Sequence, residues 1–111
     1  MNNNLPKLQD IRKTIKIPIK SIEGSEVTLK DGLLAGDMSF VYGESGTNDI
    51  ERTLRALSTM IIDWNLTDEK EKKISVTLDN IKKLDILDVT ELINATSFGD
   101  VGKKKEQTLK S

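Results

Sequence analysis

The carboxylates are the first candidates for chemistry. Asp85 and Asp88 stand three residues apart with Asp79 nearby, a grouping that could serve as general acid and base. The same spacing suits a helix cap and the third residue of the helix it starts, where carboxylates meet unpaired amide hydrogens. The cap reading prevails, because carboxylate-only catalysis works in a deep cleft of a larger scaffold. Gly43-Glu44-Ser45-Gly46-Thr47 brushes against a phosphate loop, yet no lysine stands between Gly46 and Thr47 and no buried strand leads into it. Asn65-Leu66-Thr67 and Asn94-Ala95-Thr96 match glycosylation acceptors, but without a secretory signal they are chance matches. Arg52 with Arg55, and Lys82 with Lys83, are the basic pairs a nucleic acid would use. Acids flank each pair and no aromatic residues interleave with them, so they read as solvated helix faces.

What is missing narrows the chemistry further. The chain has 111 residues, no His and no Cys. It therefore offers no thiol nucleophile, disulfide framework, imidazole base or His/Cys metal site. The expectation is a protein without catalysis, metal or cofactor. A net charge of −1 argues against a dedicated nucleic-acid binder. No apolar run exceeds three residues, as at Leu33–Ala35, so neither a membrane span nor a signal-peptide core is expected. A soluble protein working in the cytoplasm where it is made is the reading. Protein binding remains. Phe40, Tyr42, Ile62, Leu66 and Leu87 fall off the expected core stripes and are the candidate partner-binding residues, provided that they gather into one patch.

The elements that must position these residues follow from periodicity. Residues 1–13 read as a flexible polar arm, 14–99 as a single α+β domain, and 100–111 as a flexible basic tail carrying Lys103–Lys105. Ile15, Ile17 and Ile19 alternate with polar residues, as do Val27 and Leu29, and Ser21-Ile22-Glu23-Gly24-Ser25 between them supplies a turn. This is an N-terminal β-hairpin, with Pro18 marking its first strand as an edge. Outward lysines of that strand face Glu26 of the next as candidates for cross-strand pairing. Asp37 caps a short helix carrying Met38, Val41 and Tyr42, with Leu33 and Leu34 docking it. Asn48 and Glu51 form a capping box for the longest helix, whose stripe runs Ile50, Leu54, Leu57, Ile61, Trp64. Asp68 to Lys73 is a solvated charged turn, followed by an extended Ile74–Val76. Thr77 caps a helix holding Leu78, Ile81 and Leu84 inside. Asp85 caps the last helix, Ile86 to Ser97, with Gly99 placed to end it. The expected architecture is a hairpin packed on a bundle of three to four helices, with polar tails at both ends.

Three ordered passages carry a resemblance. They are the Ile-rich strand followed by Gly24 through Asp37, the long helix running into Ile62-Asp63-Trp64-Asn65-Leu66-Thr67-Asp68, and Val76 through Leu84 with Leu87-Asp88 and Leu92-Ile93. From Lys16 to Phe98 the chain resembles the small tail assembly chaperones of long-tailed bacteriophages and prophages. In that family the turn after Trp-Asn-Leu-Thr-Asp often bears a Gly; here it is Glu69-Lys70-Glu71-Lys72-Lys73. The resemblance implies a non-enzymatic role: binding the tape-measure protein, with the tail-tube protein as a further candidate partner, and keeping it soluble in the host cytoplasm during assembly. It also implies absence from the mature virion. Such phages often make a longer form by frameshifting, and Gly102 to Lys105 is where an A-rich slippery stretch would be encoded. On protein sequence alone that tail reads as basic and solvated. The alternative is a small mobile-element regulator or inhibitor that binds one host or phage protein. A DNA-binding regulator is a third reading, with steeply salt-dependent affinity as its signature.

Overall fold

Ile15 and Ile17 lie opposite Leu29 and Val27 in an antiparallel pair formed by β1 (Thr14–Ile17) and β2 (Val27–Lys30). The computed structural model describes residues 5–98; the expected C-terminal tail and Gly99 lie outside them. Ile19, just beyond β1, is buried, so the alternation of the isoleucines holds past Pro18. The turn closes on Ser25, whose hydroxyl accepts from the Ile19 amide at 2.8 Å. Gly24 there has φ +80°, a backbone geometry that favours glycine. The outward Lys16 lies across from Thr28, and Lys20 pairs with Glu91 at 3.1 Å rather than with Glu26.

The chain then passes through α1 (Met38–Tyr42) and α2 (Asp49–Met60). Asp37 precedes α1 as expected, but its carboxylate accepts from the Leu34 amide, not from the helix. Asn48 caps α2 by accepting from the Glu51 amide at 2.8 Å. The reciprocal half of the box is replaced, because the Glu51 carboxylate takes Lys82 at 3.0 Å.

The expected stripe through Ile61 and Trp64 is not helical at its end. The helix stops at Met60, and Ile61–Trp64 forms β3, which joins the free side of β2. The sheet is antiparallel in the order β1-β2-β3. Val27 lies opposite Trp64 and Leu29 opposite Ile61, with a register shift between them. The extra residue lets Ile61 and Trp64 both turn inward, although their spacing of three would put them on opposite faces of a regular strand. Adjacent β-branched Ile61 and Ile62 also favour the pleat over another helical turn.

The charged turn after β3 is built locally. The Asp68 carboxylate accepts from the amides of Lys70 and Lys72, and Glu71 sits at φ +65°. A non-glycine residue in that region carries a penalty of about 1–2 kcal/mol. Glu71→Gly should relieve part of it and raise the thermal midpoint by a few degrees, measured by differential scanning calorimetry; an unchanged or lower midpoint would show that the added freedom of the unfolded chain dominates.

Thr77 caps α3 (Leu78–Ile81), accepting from the Asn80 amide, and Asp85 caps α4 (Ile86–Asn94), accepting from the Leu87 amide. The last helix is shorter than expected. Beyond it, Ser97 donates through its amide and its hydroxyl to Asp31 at 2.8 Å each, which ties that end to the end of β2. The helices cover one face of the sheet. Val27, Leu29, Val41, Leu57, Met60, Ile81 and Leu92 make the centre of one continuous core. Among the described residues the fold is α+β, a hairpin extended to three strands with four α-helices. Among the described residues no helix is long and apolar enough to cross a membrane.

Candidate functional site

The five candidate partner-binding residues do not form one patch. Leu66 is a correction: it is only 8% exposed and, two residues past β3, belongs to the same core as Trp64. Phe40 and Tyr42 are half-exposed on α1, and each ring sits against an arginine of α2. The Arg55 guanidinium lies 5.2 Å from the Phe40 ring centre and that of Arg52 5.9 Å from Tyr42. Ile62 is exposed because it is the outward residue beside the bulge of β3. Leu87 projects from the first turn of α4.

The arginines of α2 correct the picture of a solvated basic face. The Arg55 side chain is largely covered. It donates to the Phe40 carbonyl at 2.9 Å and pairs with Glu44 at 2.5 Å. Glu44 holds the guanidinium firmly protonated, and Lys82 holds the Glu51 carboxyl below its ordinary range. These groups clamp α1 and α3 onto α2.

Asp88 also departs from the expected cap pair. Asp85 performs the capping, while Asp88 is buried and its carboxylate accepts from the Ser21 hydroxyl. One carboxylate is spent on an amide and the other on a hydroxyl, so the pair presents no free acid and base to a cleft. Among the described residues no group of three His, Cys, Asp or Glu is placed to hold a metal ion.

Of the concave surfaces among the described residues, two bear on binding. The larger, about 600 Å³, lies between the β1–β2 turn, the exit of β3 and α3. Its polar groups serve the fold itself. Asn65 accepts from the Glu26 amide and donates to the Gly24 carbonyl, Trp64 Nε1 donates to the Ile74 carbonyl at 2.7 Å, and Asn80 donates to the Ser75 carbonyl. A ligand would find few convergent groups unspent.

The smaller is a groove of about 260 Å³ between α2 and α4, lined by Ile50, Thr53, Leu54, Ile86, Val89 and Ile93. That volume is below the roughly 300–1,000 Å³ of small-molecule sites. Its apolar walls between two helices suit side chains of another polypeptide segment. Ile50 and Ile86, at 65% and 63% exposure, form its lips. The first is a correction. Ile50 continues the buried stripe of α2 by spacing, but it overhangs the core by one turn. Ile86 was legible only as the first residue of α4. Leu87 flanks the groove in sequence, and it is the one candidate residue adjacent to this surface.

Among the described residues, three carboxylates have their protonation displaced by cationic neighbours. The Asp10 carboxyl is held far below its usual range by hydrogen bonds from Arg12, Glu51 is lowered chiefly by Lys82, and Asp63 is lowered chiefly by Lys73. Each binds its proton less readily folded than unfolded, so each contributes stability above the ordinary carboxylate range that is lost as pH falls through the folded value. With no His or Cys in the chain, little else titrates near neutrality. The thermal midpoint should stay level from pH 6 to 8 and fall below about pH 4; a marked slope across neutrality in a calorimetric pH series would contradict this.

Compared with protein-family models, with curated proteins and with solved structures, the chain finds no match.

Proposed function

We propose that this protein is a non-enzymatic tail assembly chaperone of a long-tailed bacteriophage or prophage, which binds the helical tape-measure protein in the host cytoplasm and keeps it soluble. The observation that carries the reading is the groove between α2 and α4. An amphipathic helix lays its apolar face into such a groove through residues three or four apart. A long client offers that motif repeatedly, so many weakly bound copies gain by mass action. The ordered sequence passages support the same reading. The turn that often bears a Gly in the resembling family holds Glu71 in the left-handed region, where glycine is favoured.

The test is co-expression with a tape-measure chain encoded nearby. Co-purification of several copies per client, with the client moved into the soluble fraction, is the expected result. Ile50→Asp and Ile86→Asp, both at exposed lips, should leave the circular dichroism unchanged and weaken capture about tenfold or more. No effect on solubility and no co-purification would defeat the reading. A compact 1:1 complex with a single host or phage protein would favour the mobile-element regulator instead.

A further inference from the structure

One turn holds both ends of the described chain. The segment before β1, expected to be a flexible arm over residues 1–13, is anchored at its root. Arg12 donates to the Gly32 carbonyl at 3.0 Å, and the Asp31 amide donates to the Lys13 carbonyl at 2.8 Å. The far end of the fold reaches the same turn. The amide and the hydroxyl of Ser97 donate to separate oxygens of the Asp31 carboxylate, at 2.8 Å each. Gly32 has φ +117°, a region that residues with a side chain rarely adopt, and the Arg12 stem lies 3.7 Å from where a Cβ would stand. The turn thus favours a glycine directly after this aspartate.

That dipeptide differs chemically from every other aspartate in the chain. The other nine each precede a larger residue, such as Ile11, Met38, Trp64 or Val89. A side chain there shields the following amide nitrogen, and Gly32 has none. Among the described residues the Gly32 amide donates no backbone hydrogen bond. Asp31 and Gly32 are both half-exposed, so water reaches them. A nucleophile and a carboxyl group on adjacent residues react as though highly concentrated once they are aligned. Ser97 withholds that alignment, because it occupies both carboxylate oxygens.

We propose that Asp31-Gly32 is a self-modification site, gated by Ser97, whose product uncouples both terminal segments from the sheet. When Ser97 lets go, the Gly32 nitrogen attacks Cγ of Asp31. A C–N bond forms, and the carboxyl hydroxyl leaves as water with the amide proton. Water then opens the five-membered imide. Breaking the bond from nitrogen to Cγ restores aspartate. Breaking the bond from nitrogen to the Asp31 main-chain carbonyl carbon leaves the chain running through Cγ, as isoaspartate. One water is lost and one regained, and neither oxidant nor cofactor takes part. The product has an extra methylene in the main chain between the Asp31 amide and the Gly32 carbonyl, and its carboxylate reaches one carbon less far. The contacts with Lys13, Arg12 and Ser97 then no longer fit together. The inference does not depend on the α2–α4 groove or on any client.

The experiment is incubation of the folded full chain for weeks at neutral pH, well below its thermal midpoint. Isoaspartate is read by labelling with an isoaspartyl carboxyl methyltransferase and by loss of cleavage before residue 31 with an aspartate-specific protease. In the wild type the label should map to the Asp31 peptide. Ser97→Ala removes one of the two hydrogen bonds at an exposed position and should speed labelling about threefold to tenfold. Ser97→Thr keeps the hydroxyl and should match the wild type. Asp31→Glu, whose longer side chain closes a six-membered ring far more slowly, should abolish the label. Arg12→Ala loosens the same turn without touching the carboxylate and should leave the rate near that of the wild type. A Ser97→Ala rate equal to the wild type overturns the proposal, as does equal acceleration by Arg12→Ala or a label spread evenly over the aspartates. In the isolated product, hydrogen exchange at the amides of residue 31 and Ser97 should be about tenfold faster or more. Unchanged exchange would overturn the release of the terminal segments.

Discussion

Trp64→Ala should cost about 3–5 kcal/mol of unfolding free energy. For a domain of this size that lowers the thermal midpoint by roughly 12 °C or more. The physical reason is twofold. Trp64 is 2% exposed and sits where the bulged β3 meets the hairpin, so its removal opens a cavity between the sheet and the segment leading to α3. Its Nε1–H also donates to the Ile74 carbonyl at 2.7 Å. Trp64→Phe separates the two contributions. It keeps most of the packing and loses the donor, leaving a part-buried carbonyl without this partner at a cost of about 1–3 kcal/mol. Urea unfolding of both variants checks the order, with alanine well below phenylalanine and phenylalanine below wild type. Equal midpoints for all three would mean that the ring is not a core element. Because small domains hold only about 5–15 kcal/mol in total, the alanine variant should be partly unfolded at physiological temperature.

The second large effect is expected at Asp88. Its carboxylate is buried in the first turn of α4 and takes the Ser21 hydroxyl from the hairpin turn. A hydrogen bond to a charged group contributes about 1.5–3 kcal/mol, and a carboxylate at a helix N-terminus adds about 0.3–1 kcal/mol. Asp88→Ala should therefore destabilise by about 2–4 kcal/mol. Asp88→Asn keeps an acceptor of nearly the same shape and should recover about half of that loss. A double-mutant cycle with Ser21→Ala should give a coupling of about 0.5–3 kcal/mol, which a purely local helix effect would not produce. Additive losses would show that the hairpin turn and α4 are joined by apolar contacts alone. The neighbouring Lys20–Glu91 pair is exposed and should contribute under about 1 kcal/mol.

These two sites mark the limit of what a linear reading can reach. Asn48, Thr77 and Asp85 were legible as helix caps because each acts on an amide two or three residues ahead. The hairpin was legible because alternation at Ile15–Ile19 and Val27–Leu29 is a property of adjacent residues. Trp64 was legible as buried and misplaced in type. Leu57, Ile61 and Trp64 have helical spacing, and a strand with one extra residue reproduces that spacing. Only the unpaired edge of β2, supplied by residues more than thirty positions earlier, decides between them.

The candidate site divides in the same way. Exposure of Phe40, Tyr42, Ile62 and Leu87 followed from their positions off the core stripes, whereas Leu66, just past β3, packs into the core formed by distant elements. The groove was invisible in one dimension, since its walls come from α2 and α4 and its lip residue Ile50 lies on an otherwise buried stripe. Likewise Asp88 and Asp85 look equivalent as a spaced pair, but burial against Ser21 reserves one of them for the fold.

The amino-acid sequence alone determined the α+β class, the caps, the hairpin and the lack of histidine and cysteine chemistry, because composition and short-range hydrogen bonding need no knowledge of distant partners. The tertiary structure decided the third strand, the burial of Leu66 and Asp88, the arginine clamp on α1 and the apolar groove. Each of these depends on which surfaces meet, and that is settled by the free energy of packing the whole chain.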